Sequence, residues 1–201
     1  SFLFMRRFFL LLRSENTEEE NKYYKDAICR YGGEVITVKD TDSKDVFLTA
    51  LEKVEGILLP GGCDVGRWDY FLINYAVCNN LKLLGICQGM QSMALWKSND
   101  SLISIGNDFH HQKEGYVHSV TLQDSRLQQI VGSYSLRVNS HHYQTVKKSY
   151  FFTVVGRSSD GLIEAVENSM QTFQIGVQWH PERMLDYDDD SKKLFLAFVK
   201  D

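Results

Sequence analysis

A chain of 201 residues with 43% apolar and 24% charged side chains can form one well-packed domain but is too short for two of ordinary size, and it is not disordered. Its formal net charge of -4 gives no electrostatic reason to bind nucleic acid or an anionic membrane. Cys29, Cys63, Cys78 and Cys87 have neither CxxC pairing nor metal-knuckle spacing, so a reducing, cytoplasmic setting is expected rather than a disulfide framework.

The chain opens on an apolar run, FLFMRRFFLLLR, interrupted by Arg6 and Arg7 and followed by no small-residue cleavage site. It is too short for a membrane span and unlike a signal peptide, so a buried first strand over Phe8–Leu12 is expected. Tyr23, Tyr24, Ala27, Ile28 and Tyr31 then recur at helical spacing from Thr17 onward, and Gly32-Gly33 stops the helix. The tyrosines read as packing residues. Val35–Val38 is a short strand, Asp40–Asp45 a polar turn, and Val54–Leu59 a strand ended by Pro60-Gly61-Gly62. A helix is expected from Trp68 to about Val77.

Leu81–Leu95, LKLLGICQGMQSMAL, reads as a strand, a tight turn and a helix with Cys87 on the turn. Gly85 and Gly89 flank the cysteine where a sharp strand-to-helix turn would crowd any Cβ. A thiol there sits at a helix N-terminus, whose N–H groups and dipole favour negative charge. Taken alone, the stretch also accommodates a buried structural cysteine. The first half therefore alternates strand and helix, which predicts a parallel sheet covered on both faces, with ligands beyond the carboxyl ends of the strands.

After Trp96 the rhythm changes. Gly115–Leu122 partly alternates, Asp124–Val131 suits a short helix, and Phe151–Arg157, Gly161–Val166 and Phe173–Gln178 read as successive strands. Ser191–Lys200 carries a helical apolar face, and Asp186–Asp190 a solvated acidic loop. The expected architecture is a single α/β domain over residues 1–201, flavodoxin-like, with a mostly parallel central sheet, helices on both faces and a small antiparallel extension.

Gln174–Met184, QIGVQWHPERM, runs from a strand into Trp179-His180-Pro181-Glu182. Pro181 ends regular pairing, and in extended backbone His180 and Glu182 point to one side, so the carboxylate can orient the imidazole. A cysteine nucleophile needs such a base and orienting group.

LLPGG at Leu58–Gly62, GICQGMQ at Gly85–Gln91 and GVQWHPE at Gly176–Glu182 resemble, in order and spacing, the three signatures of class I glutamine amidotransferase domains. Gly61–Val65 (GGCDV), Val138–His142 (VNSHH) and Asp160–Ala165 (DGLIEA) are similar to the γ-glutamyl hydrolase branch that includes γ-glutamyl-γ-aminobutyrate hydrolases, of the peptidase C26 type. His111 and His118 match histidines common before the NSxHH segment. The chain departs from the pattern at Gln88 (usually Arg), at Ala94 (usually Asn), at Tyr143-Gln144 after the paired histidines, and in a shortened loop after Val65, which predicts a more open site.

The resemblance implies a cysteine-dependent hydrolase of γ-glutamyl amides with Cys87 as nucleophile, His180 as base and Glu182 as its orienter. It implies an oxyanion hole from the N–H groups of Gly62 and Gln88, and substrate contacts from Gln91, Asn139, Ser140 and His141. It implies no organic cofactor. Two other readings stand beside it: a glutaminase subunit passing ammonia to a synthetase partner, and a silent binding domain. The leaving amine is open, as is the assembly, a homo-oligomer included. The histidines also invite a metal reading, but adjacent histidines in a strand face opposite ways and no HxxxH or cysteine pair accompanies them, so no metal is expected.

Overall fold

In the computed structural model, which describes residues 5–63, 65–112 and 114–201, the first half is a strict alternation of strands and helices. It comprises β1 (Arg7–Leu12), α1 (Glu18–Arg30), β2 (Glu34–Lys39), α2 (Lys44–Leu51), β3 (Gly56–Leu59), α3 (Arg67–Cys78), β4 (Lys82–Ile86) and α4 (Gln88–Leu95). Then follow β5 (Ile103–Ser104), β6 (His111–Gln112), β7 (His118–Leu122), α5 (Arg126–Val131), β8 (Ser135–Val138), β9 (Ser140–His141) and β10 (Gln144–Thr145). β11 (Thr153–Ser158), β12 (Ile163–Glu167), β13 (Gln174–Val177) and α6 (Asp189–Lys200) complete the chain. Residues 2–4 of the N-terminal apolar run and Asp64 of the Gly61–Val65 segment lie outside the described residues.

One nine-stranded sheet runs β2-β1-β3-β4-β13-β12-β11-β7-β8. Its pairs are parallel from β2 to β13 and antiparallel from β13 to β8. The parallel part has the doubly wound 2-1-3-4-5 order of flavodoxin-like folds, and the antiparallel strands extend one edge. Two short ladders, β5 with β10 and β6 with β9, stand apart from the sheet.

The strand β1 explains the layering. Phe8 and Leu10 pack on one face with Tyr24, Ala27 and Ile28 of α1 and Phe195 and Phe198 of α6. Phe9 and Leu11 pack on the other with Phe47, Ala50 and Leu51 of α2 and Leu72 and Ile73 of α3. A strand buried on both faces must be apolar throughout, which is why this run is not amphipathic. The helix α1 starts where expected, on a Thr17–Glu20 capping box. The helix α2, by contrast, begins within the segment read as a turn: the Ser43 hydroxyl accepts the Val46 N–H, and Phe47, Ala50 and Leu51 supply a one-sided apolar face. Its polar entry concealed it.

Close approach of α4 to the sheet rests on Gly89, where an added Cβ would lie 2.3 Å from the Leu59 carbonyl oxygen. Gly89→Ala is therefore expected to cost about 1–3 kcal/mol through a forced backbone shift. A lower urea midpoint at unchanged slope would register it. An unaltered midpoint would mean that α4 can slide outward without loss.

Candidate active site

Sheet register assembles the site. Leu59 pairs with Gly85 and Val177 with Ile86, so the segments leaving β3, β4 and β13 emerge side by side at the carboxyl edge of the parallel strands. Cys87 occupies the apex of the β4–α4 turn, and its N–H donates to the Val177 carbonyl at 2.8 Å. Its backbone sits at φ 53° and ψ -106°, a region that costs any residue with a Cβ, and so the turn is strained at the cysteine. The side chain is nearly buried, with Sγ 3.5 Å from Gln178 Nε2 and 3.9 Å from the His141 carbonyl oxygen.

His180 Nδ1 lies 2.6 Å from Glu182 Oε1. The contact is made through a tight 3-10 turn over Pro181–Arg183, not through the extended backbone expected from the two-residue spacing. Pro181 suits the first position of such a turn because it needs no N–H partner there. Burial works against charge on His180, but the Glu182 carboxylate and the Cys87 sulfur outweigh it and hold the imidazole above its ordinary pKa. With Nδ1 engaged by Glu182, Nε2 is the ring nitrogen not held by the carboxylate.

Three amide side chains brace this arrangement. Asn139 Oδ1 accepts the His180 N–H at 2.8 Å, and Asn139 Nδ2 donates to the His180 carbonyl at 2.9 Å. Gln91 Nε2 donates to Gln178 Oε1 at 3.1 Å, which turns the Gln178 amino group toward the Cys87 sulfur. The Pro60-Gly61-Gly62 loop is held from both sides: Gly61 N–H donates to Tyr24 Oη at 3.0 Å and Asn16 Nδ2 to the Gly61 carbonyl at 2.9 Å.

A pocket of about 200 Å³ opens over these groups, lined by Cys87, His180, His141, Gly61, Gly62, Cys63, Tyr24, Glu15, Asn16, Glu20 and Arg183. Of the sequence-derived candidates, Cys87, His180, Gly62 and His141 line it, with Glu182 directly behind His180. Gln88 is buried against Gly62, where a Cβ would meet its Oε1 at 2.2 Å. Gln91, Asn139 and Ser140 are buried and do not line the pocket; Ser140 Oγ instead contacts His110 Nδ1 at 3.0 Å. Gln178 and Tyr24 were absent from the sequence candidates. Gln178 was discoverable, since it stands inside the GVQWHPE segment, whereas Tyr24 reaches Gly61 across 37 residues and carries only a packing signal.

Comparison with known proteins falls in line with this geometry. The peptidase C26 family model matches residues 66–182, a span containing Cys87, His180 and Glu182. A Schizosaccharomyces pombe protein whose name places it among the glutamine amidotransferases is 32% identical over 152 residues, covering 70% of this chain and 59% of that one. The chain thus spans less than two thirds of that relative. Escherichia coli γ-glutamyl-γ-aminobutyrate hydrolase PuuD is 27% identical over 231 aligned positions, covering 94% of this chain and 88% of its own. Among solved structures, a chain of PurLQS from Thermotoga maritima superposes with a TM-score of 0.71 at 20% identity over 97% of this chain and 98% of that one, a likeness of fold.

Proposed function

Because the matched span exceeds half its length, this chain belongs to the peptidase C26 family of glutamine amidotransferase-like proteins, and we propose that it hydrolyses γ-glutamyl amides through a Cys87 thioester. The observation that carries the proposal is the meeting of Cys87, His180 and Glu182 at one strand edge beside the Gly61-Gly62 loop. Cys87 Sγ attacks the γ-carbonyl carbon while His180 Nε2 takes the thiol proton. The oxyanion is received by the N–H groups of Gly62 and Gln88, on a loop and a helix start that are braced before substrate arrives. Collapse breaks the C–N bond, and the departing amine takes its proton from His180. Water, deprotonated by the same imidazole, then cleaves the thioester to release glutamate. Glu182 keeps the imidazole in the required tautomer and orientation.

Asn139 fits this scheme as a positioning residue, since both ends of its amide are spent on the His180 backbone. Asn139→Leu is expected to lower kcat about tenfold to a hundredfold with KM nearly unchanged, because a misplaced base slows the chemistry without altering capture. A raised KM at constant kcat would instead make Asn139 a substrate ligand.

The test of the function is steady-state hydrolysis of glutamine, γ-glutamyl-γ-aminobutyrate, γ-glutamyl dipeptides and a bulky γ-glutamyl amide by the isolated chain. Turnover of an amide well above that of glutamine supports the free-standing hydrolase and identifies the leaving amine. Negligible turnover by folded protein, with glutamine hydrolysis appearing only alongside a synthetase, would overturn it in favour of an ammonia-donating subunit.

A further inference from the structure

Behind the pocket, on the antiparallel side of the molecule, three buried histidines converge around one buried carboxylate. Glu164 Oε1 on β12 lies 3.6 Å from His110 Nδ1, 3.7 Å from His118 Nε2 and 3.7 Å from His142 Nε2. All four residues are almost wholly buried. Adjacent histidines do face opposite ways, but this does not preclude a cluster: His111 and His141 pair with each other across β6 and β9, and their neighbours His110 and His142 turn inward.

The hydrogen bonding around the cluster fixes what it lacks. His118 Nδ1 contacts the Ser119 carbonyl at 3.1 Å, and His142 Nδ1 contacts the Gln144 carbonyl at 2.9 Å. A carbonyl only accepts, so each Nδ1 carries a proton, and Nε2 is the ring nitrogen turned toward the carboxylate. Those two nitrogens and both Glu164 oxygens have no hydrogen-bond partner. Buried polar atoms left without a partner are costly, so the cluster calls for a group that can join them. His110 adds the third nitrogen, with its Nε2 anchored 2.8 Å from the Asp160 carboxylate. Carbonyl or carboxylate on the far ring nitrogen is the arrangement by which proteins orient histidines toward a metal. Tetrahedral coordination with bonds of about 2.0–2.1 Å separates ligand atoms by roughly 3.4 Å. The three nitrogens lie 3.6–3.7 Å from Glu164 Oε1, and the ligand atoms of His110, His142 and Glu164 all lie within 4.8 Å of one another, with His118 joining through the carboxylate.

We propose that His110, His118, His142 and Glu164 form a closed, four-ligand site for a divalent transition-metal ion, with Zn²⁺ the best match to three imidazoles and a carboxylate. Ser140 Oγ, now 3.0 Å from His110 Nδ1, would yield that nitrogen to the ion. The ligands come from the turn before β6, from β7, from the residue after β9 and from β12, so the ion would pin the segment carrying the short ladders to the main sheet. Four protein ligands leave no open position for substrate, which makes the role structural and separate from the Cys87 chemistry.

The experiment uses the full chain in a Cys87→Ala background, so that the Cys87 sulfur cannot hold the ion, purified without metal-affinity resin and dialysed against Zn²⁺. Elemental analysis is expected to give about one zinc per chain. In Glu164→Gln and His118→Ala, with folding checked by circular dichroism, it should fall at least tenfold. Absence of retained zinc in the parent, or equal zinc in the folded variants, would overturn the proposal. Should those variants not fold, loading the parent with Co²⁺ decides: the intense visible bands of tetrahedral Co²⁺ support the site, and their absence rejects it.

Discussion

Removing the sulfur at position 87 is expected to abolish hydrolysis while leaving the fold intact, and the choice of replacement should separate catalysis from strain. Loss of a nucleophile that acts as a unit with its base costs about 10⁴-fold or more in kcat, so Cys87→Ala and Cys87→Gly should be equally inactive. Their stabilities should differ. Cys87 has φ 53° and ψ -106°, the mirror image of ordinary extended backbone, which glycine enters freely and a residue with a Cβ does not. Cys87→Gly should therefore be more stable than Cys87→Ala by about 1–3 kcal/mol, the size of the strain at such a position. Thermal or urea midpoints read the difference. Appreciable activity in either variant would remove Cys87 from the mechanism. Equal midpoints would mean that neighbouring contacts, such as the Cys87 N–H to Val177, adjust to absorb the strain.

The parts of this molecule that were legible in sequence share one property: each signal is local. The turn at Cys87 shows itself through Gly85 and Gly89 within four residues, and Glu182 lies two positions from the His180 whose Nδ1 it contacts. Parallel topology was legible because strand and helix alternate at regular intervals from β1 to α4. What escaped is spread along the chain. Asn139 stands among the sequence candidates as a substrate contact, but its bond to His180 spans 41 residues and has no local signal, and the histidine cluster draws on positions from 110 to 164. A strict strand rule applied to His110-His111 and His141-His142 separated the members of each pair correctly but could not show that one member of each would meet the other. The helix α2 escaped for a different reason. Its eight residues are bounded by a polar turn, and only the Ser43 cap and the Phe47, Ala50, Leu51 face reveal it.

The most destabilising single change expected outside the reacting groups is Asp69→Ala. Asp69 on α3 is fully buried and receives Arg13 Nη1 at 2.7 Å and Nη2 at 2.9 Å, with the Ser92 hydroxyl donating to the same carboxylate. Burial works against charge on Arg13, yet the Asp69 carboxylate overcomes it and raises the guanidinium pKa. Deleting the carboxylate strands a buried cation and should cost about 3–5 kcal/mol. A loss below about 1 kcal/mol in the urea midpoint analysis would mean that water reaches Arg13 and that the pair is not the anchor it resembles. The pair also serves the site. Arg13 Nη2 and Nε donate to the Pro60 carbonyl at 3.0 and 3.3 Å, fixing the residue that leads into Gly61 and Gly62. An Arg13→Met, Asp69→Leu double variant removes both charges and so should regain much of the lost stability, as buried ion pairs replaced by apolar side chains commonly do. It cannot restore donors to Pro60. If the loop anchor matters for receiving the oxyanion, the double variant will be stable and slow, with kcat reduced and KM little changed. A double variant that recovers both stability and full kcat would show instead that Tyr24 and Asn16 hold the loop unaided.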